Sequence, residues 1–137
     1  MAARIAPFLF PLDPHIRYVA VNQGGMITEM EQRAEWPSFN PQETDRMEEL
    51  IVNPVVLEAT KRRGDIDLDG VRYVIIRYGK QYQVVFPHGS GHVSVGVQLD
   101  ADVAGIAEGI AEALATSAPG PIERSLRLAL SSTGDSR

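Results

Sequence analysis

Cysteine is absent from the 137 residues. Disulfides, thiolate metal sites and cysteine nucleophiles are therefore excluded, and the redox compartment stays open. Concentrated positive charge is also missing. No basic run is longer than Lys61-Arg62-Arg63, and the formal net charge is -5. Phosphate binding needs a concentrated basic surface, so a nucleic-acid partner is not expected. Long apolar runs are lacking as well. The stretch Ala6 to Leu12 is too short and too broken by proline for a signal peptide or a membrane span. No membrane partner is expected, and a soluble cytoplasmic protein is the default reading. Phosphate loops and dinucleotide fingerprints are missing, because Gly24-Gly25 leads into a strand pattern rather than a helix. Ser90 lacks the Gly-x-Ser-x-Gly spacing of a nucleophile elbow.

What is present centres on Gly70 to Leu99, GVRYVIIRYGKQYQVVFPHGSGHVSVGVQL. Its β-branched and aromatic content predicts three antiparallel strands. The first is Val71 to Tyr78, apolar on both faces and so covered on both. Gly79-Lys80 turns into the second, Gln81 to Phe86, which Pro87 is expected to end. His88-Gly89-Ser90-Gly91 reads as a loop. The third places Val93, Val95, Val97 and Leu99 on one face and Ser94, Gly96 and Gln98 on the other. The small residues there predict a closely approaching helix backbone.

Upstream, Ile16 to Asn22 and Met26 to Arg33 form a hairpin pattern around Gln23-Gly24-Gly25. Ile16, Tyr18, Ala20 and Asn22 are assigned to one face, and Arg17, Val19 and Val21 to the other. Residues 1–15 hold Pro7, Pro11 and Pro14, which argue against a regular helix and for an extended arm. That arm plugs a gap in the body or docks on a partner subunit. Asn40, Pro41 and Glu43 form a helix-start signature. Met47, Leu50 and Ile51 then fall on one side, with Val52 and Val56 roughly opposite. Asn53-Pro54 predicts a kink or a restart, and Gly64 behind the basic triplet predicts the helix end. The two-sided apolar pattern reflects a second contact or a phase reset at the kink. Asp100 is the expected N-cap of a helix reaching about Thr116, striped by Val103, Ile106, Ile110 and Leu114. Gly105 and Gly109 inside it cost roughly 1 kcal/mol each, and close packing is the expected compensation. After Pro119-Gly120-Pro121, Ile122, Leu126, Ala129 and Leu130 fall near one side of a short amphipathic helix. The tail from Ser131 has a disorder-like composition.

Chemistry-bearing motifs are weak. Asp65, Asp67, Asp69 and Gly70 open like a calcium loop, but its twelfth position is Ile76, where a bidentate glutamate is required. His88 and His92 flank a turn, with no third ligand nearby, and read as exposed turn histidines. Glu48, Glu49 and Glu58 read as solvated helix faces. No catalytic residue, metal site or cofactor is assigned, and the protein is not expected to be an enzyme.

The order is β-β-α-β-β-β-α, an α+β chain with a five-stranded antiparallel sheet flanked by helices. The runs IRYVAVNQGGMITEME and GVRYVIIRYGKQYQVVFPHGSGHVSVGVQLDADVAGIAEGIAEAL carry the pattern. It resembles the roadblock-type dynein light chain domain of the profilin-like folds, a superfamily that includes short bacterial and archaeal proteins. The resemblance covers about Ile16 to Leu114. It departs at the N-terminus, where such domains begin with a helix packed on the sheet. The segment Ile122 to Leu130 would fill that place, or the place is open. Residues 16–116 are then one domain between an arm (1–15) and a C-terminal segment (117–137). The resemblance implies a non-enzymatic homodimeric scaffold that binds or regulates small Ras-like GTPases. Its interface would involve Val71, Tyr73, Ile75 and Arg77 on the strand and Met47, Leu50, Val52 and Val56 on the helix. A second reading is a small-ligand sensor of PAS-like or GAF-like build, with Tyr73, Tyr78, Tyr82, Phe86 and Trp36 lining a pocket. The plainer reading of those aromatics is that they are core.

Overall fold

The computed structural model describes residues 4–33 and 42–117. The expected cap residues Asn40 and Pro41, the aromatic Trp36, and the segment Ile122 to Leu130 lie outside the described residues. Five strands make one antiparallel sheet: β1 (Ile16–Gln23), β2 (Met26–Gln32), β3 (Val74–Arg77), β4 (Tyr82–His88) and β5 (Gly91–Val97). Their order across the sheet is β2-β1-β5-β4-β3. Chain neighbours therefore pair at β1–β2, β3–β4 and β4–β5, and the long helical connection from β2 to β3 crosses one face from edge to edge. That connection comprises α2 (Gln42–Met47), a π-helical segment (Glu48–Val52) and α3 (Asn53–Asp67). The opposite face carries α1 (Ala6–Leu9), a 3-10 turn (Phe10–Leu12) and α4 (Val103–Ser117).

The apolar core lies on the α4 side. Val19 and Val21 of β1, Val84 and Phe86 of β4, and Val93, Val95 and Val97 of β5 meet Ala107, Ile110 and Leu114. A register shift in the β1–β5 pairing between Ile16 and Tyr18 corrects the expected face assignment. It places Ile16 in the core with Val19 and Val21 rather than beside Tyr18. At the β1–β2 turn Gly24 and Gly25 have φ of 60° and 81°, the conformation a two-residue hairpin loop demands. At the start of β5, a Cβ on Gly91 would collide with the backbone of Asn22, so only glycine fits there.

The arm is not extended. Pro7 sits in the first turn of α1 and Pro11 in that of the 3-10 turn, where a missing N–H costs nothing. Strand β2 and the residue that follows it hold both ends of this segment. The Glu29 carboxylate accepts from the N–H groups of Ile5 (2.8 Å) and Ala6 (2.9 Å), capping α1. The Arg33 guanidinium donates to the carbonyls of Phe10 (2.7 Å), Asp13 (3.1 Å) and Ile16 (2.8 Å). Ala6 and Leu9 are fully buried in the core.

Strand bounds differ from expectation around Pro87. The strand β4 runs through that proline, which pairs with His92 of β5. Extending the β3–β4 register would set Arg72 opposite Pro87. Proline offers no N–H there, so β3 starts at Val74 and not at Val71. Tyr73 turns instead to the α4 side. Its ring lies 5.8 Å from that of Phe86, and its hydroxyl donates to Glu108 at 2.5 Å.

The helical boundaries shift as well. The Asn53-Pro54 signature is realised as the π-helical segment before it, a widened turn that accommodates the proline ring. Helix α3 continues past Gly64 to Asp67, and the N–H groups of Leu68 and Gly70 both return to the Gly64 carbonyl. Asp102, not Asp100, caps α4, accepting from the Gly105 N–H at 3.1 Å.

Candidate interaction face

The helical connection is amphipathic in the reverse sense. The residues it turns to the sheet are Glu49, Asn53 and Leu57, spaced four apart, and the first two are fully buried. The residues it turns to solvent are Met47, Ile51 and Val55, also spaced four apart, and Val55 is 64% exposed. Leu50 extends the outer apolar stripe. Further along, Ile66 and Leu68 are exposed at the end of α3. Exposed charges flank the stripe, Glu43 and Arg46 ahead of it and, beyond it, Glu58, which pairs with Arg62, and Arg63, which pairs with Asp67.

The inner polar residues are held by a buried hydrogen-bond network. Glu49 Oε1 lies 2.8 Å from His92 Nε2 and accepts from Asn53 Nδ2 at 3.2 Å. Glu49 Oε2 accepts from the Tyr18 hydroxyl at 2.9 Å, and its carbonyl accepts from Asn22 Nδ2 at 3.2 Å. The sheet meets the helix with further buried polar groups, Gln83 and Ser94, which bond each other. Burial, reinforced by the Glu49 carboxylate, pushes the Tyr18 hydroxyl far above its usual range. His92 and Glu49 thus correct two expectations, since both were assigned to solvent. The signal that could have found them is the run of polar residues Asn22, Gln83, His92 and Ser94 at alternate strand positions. A sheet face with that composition needs a polar helix face opposite it.

Beside the network a cleft of about 450 Å³ opens between α2, β1 and the β3–β4 turn. Arg17, Tyr18, Asp45, Glu48, Tyr78 and Lys80 line it. The Tyr78 hydroxyl donates to Glu48 Oε1 at 3.0 Å, tying the end of β3 to the π-helical segment. Glu48 Oε2 is buried without a hydrogen-bond partner among the described residues. Burial raises the Glu48 carboxyl above its usual range, and burial with the neighbouring Glu48 pushes Tyr78 up to about 12. Among the described residues expected to line a pocket, Tyr73, Tyr78, Tyr82 and Phe86, only Tyr78 lines this cleft. Phe86 is core, and Tyr73 and Tyr82 pack against it on the other side of the sheet.

The residues expected at an interface divide into two groups. Ile75 and Arg77 lie in β3, at one end of the sheet order, while Val71 and Tyr73 precede that strand. Ile75 and Tyr73 pack on the core side, and Arg77 lies over the Tyr82 ring at 5.7 Å. Met47, Leu50, Val52 and Val56 lie on the helical connection across the other face, where Met47 and Leu50 are exposed and Val52 and Val56 half-buried. Ile51 and Val55, more exposed than either valine of the expected set, complete the stripe. Among the described residues no group of three or more His, Asp or Glu is placed to hold a metal ion. Among them, too, no helix is long and apolar enough to cross a membrane.

A five-stranded antiparallel sheet with one long helical crossover on one face and a terminal helix on the other defines an α+β platform fold. More specifically, the fold is of the roadblock type. The chain is similar to the crystal structure of a Roadblock/LC7 domain from Streptomyces avermitilis, with a TM-score of 0.57 and 17% sequence identity. The match covers 79% of this chain and 89% of that one. No family model matches the chain, and no curated protein matches it.

Proposed function

We propose that this protein is a non-enzymatic interaction module that works as a homodimer in the cytoplasm. Two copies would join through the open edge of β3 and the outer stripe of the helical connection. The observation that carries this reading is the reversed helix. Met47, Leu50, Ile51 and Val55 stay in water while Glu49 and Asn53 are buried. A contiguous exposed apolar patch on a helix marks a surface used for association. Among the described residues strand β3 pairs only with β4, so its outer edge is the one open to a second strand. The Tyr78–Glu48 hydrogen bond joins edge and helix into one continuous surface. The interface then comprises Val71, Tyr73, Ile75, Arg77, Met47, Leu50, Val52 and Val56, with Ile51 and Val55 at its centre. A small Ras-like GTPase is the partner class proposed for the assembled dimer; the fold itself supports an interaction module in general. Light scattering across a dilution series tests the assembly. A mass near twice 15.0 kDa is expected for the native chain. Ile51→Glu/Val55→Glu is expected at the monomer mass. A native monomer at micromolar concentration removes the proposal. Pull-downs with GDP- and GTP-loaded small GTPases test the partner.

One observation favours a second reading, a small-ligand sensor. The polar cleft holds a buried carboxyl oxygen, Glu48 Oε2, with no partner among the described residues. A donor on a small polar ligand would satisfy it. A thermal-shift screen of nucleotides and metabolites, repeated on Glu48→Gln, checks this. No stabilising compound, or equal stabilisation of both proteins, counts against it.

A further inference from the structure

On the sheet face away from the interaction stripe, a groove of about 250 Å³ runs between the 3-10 turn and the first half of α4. Its apolar side chains are Leu12, Ile106 and Ile110. Ile110 is fully buried, while Leu12 stands 48% exposed. Gly105 and Gly109 give the α4 wall bare backbone, and no described residue lies within 4 Å of the position a Cβ would take on Gly109. Glycine within a helix is costly, and the close packing expected to offset Gly109 is not supplied by any described residue. The rim of the groove is acidic, with Asp13 on one side and Asp102 on the other. Among the described residues only Oδ1 of each is engaged. That of Asp13 accepts from the His15 N–H at 2.8 Å, and that of Asp102 from the Gly105 N–H at 3.1 Å. The nearby bases leave this acidity standing. One imidazole, His15, is shared by Asp13 at 2.7 Å and Asp100 at 3.9 Å, and Arg33 donates to three backbone carbonyls. Helix α4 adds Glu108 and Glu112 and carries no lysine or arginine.

We propose that this groove binds an amphipathic segment of another protein, apolar on one side and bearing lysine or arginine beside it. Size decides against a cofactor-like ligand, because small-molecule pockets usually enclose about 300–1,000 Å³. A groove of this volume takes apolar side chains, in the way a docked helix lays its anchors between two walls. Charge decides the rest. A cation beside the anchor meets the Asp13 or Asp102 carboxylate, each with one oxygen left for it. The same carboxylates repel nucleic acid and anionic lipid. The bare backbone at Gly105 and Gly109 lets a second backbone approach closely, which gives the glycines a use. The groove lies across the sheet from the outer stripe, so this contact stands apart from the proposed dimer.

The probe is a labelled helical peptide of about 15 residues built from leucine and lysine, with the leucines along one side. Fluorescence anisotropy with the full chain is expected to show saturable binding. A scrambled peptide of the same composition is expected to bind about tenfold more weakly. Gly109→Leu fills the groove from the helix without a clash. It is expected to raise the melting temperature by a few degrees and to weaken binding about tenfold. Asp13→Asn with Asp102→Asn keeps a capping side chain on α4. It is expected to weaken binding about fivefold at low salt, a difference that closes as salt rises. Ile51→Glu/Val55→Glu is expected to bind as the native chain does. Equal binding by the scrambled peptide or by Gly109→Leu overturns the proposal, and so does loss of binding in Ile51→Glu/Val55→Glu, which would place the peptide on the stripe. No binding by the native chain overturns it as well. If Gly109→Leu then also melts lower than the native chain, the groove already has an occupant. That occupant is a second copy where light scattering shows a fall in mass, and the remainder of the same chain where it does not.

Discussion

Replacing Glu49 by alanine strips the buried network of its hub. Three side chains lose their partner at once: His92 Nε2, the Tyr18 hydroxyl and Asn53 Nδ2. All three lie on residues less than a tenth exposed, so water does not reach them freely. Each buried polar group left unsatisfied costs about 1–3 kcal/mol. Taking the low end for each, because a small cavity admits some solvent, gives about 3 kcal/mol in total. For a chain of this size that is a fall of about 10–15 °C in the unfolding midpoint. Urea unfolding followed by circular dichroism measures it, with an unchanged m-value as the sign that stability alone has moved. The paired variant Glu49→Leu/His92→Leu removes acid and imidazole together. It is expected to recover about a third of the loss, because one of the three orphaned groups, His92, becomes packed hydrocarbon while Tyr18 and Asn53 stay unpaired. A loss below about 1 kcal/mol for Glu49→Ala would refute the reasoning. The helix would then be held by its apolar contacts, and the polar inner face would be incidental.

Three further outcomes are expected. Burial holds the Glu48 carboxyl above its unfolded value of 4.5, so the folded chain binds more protons than the unfolded one across that interval. The stability Glu48 contributes is full below pH 4.5 and is lost as pH rises through the raised folded value; Glu48→Gln should flatten that fall in a series of urea melts. Leu9→Ala should cost about 2–5 kcal/mol, because Leu9 is fully buried in the core; a loss under about 1 kcal/mol would return the N-terminal segment to a loosely attached arm. Gly91→Ala should destabilise by more than about 2 kcal/mol, since its methyl group would collide with the Asn22 backbone, and thermal melts of the purified variant would show it.

The β-rich parts of this chain were legible because local chemistry decides them. Alternation and β-branching located β1, β2 and β5, and Gly24-Gly25 located the hairpin turn. Where tertiary contacts decide, the sequence misled. The prolines of the N-terminal segment read as helix breakers, but Glu29 and Arg33, distant in sequence, supply the caps that make short helical turns stable. Pro87 read as a strand end because the pattern cannot show which edge of a strand lacks a neighbour. The interaction face was only half visible. Met47, Leu50 and Ile51 share one exposed side as their spacing predicts, but Val55 was not assigned to it and Glu49 was given to solvent. The helical periodicity alone cannot say which stripe faces inward. A buried glutamate looks like a surface glutamate until its partners, His92 and Tyr18, are seen to converge on it from two strands.

Hydrogen exchange at the β3 amides, Val74 to Arg77, tests the central claim most directly. It should be followed at two protein concentrations and in the Ile51→Glu/Val55→Glu variant. Pairing of β3 edges between copies predicts protection at high concentration that falls on dilution and is lost in the variant. The remaining strands should exchange alike in all three samples. Identical β3 exchange in all three would contradict the account, and the outer stripe would then need another explanation.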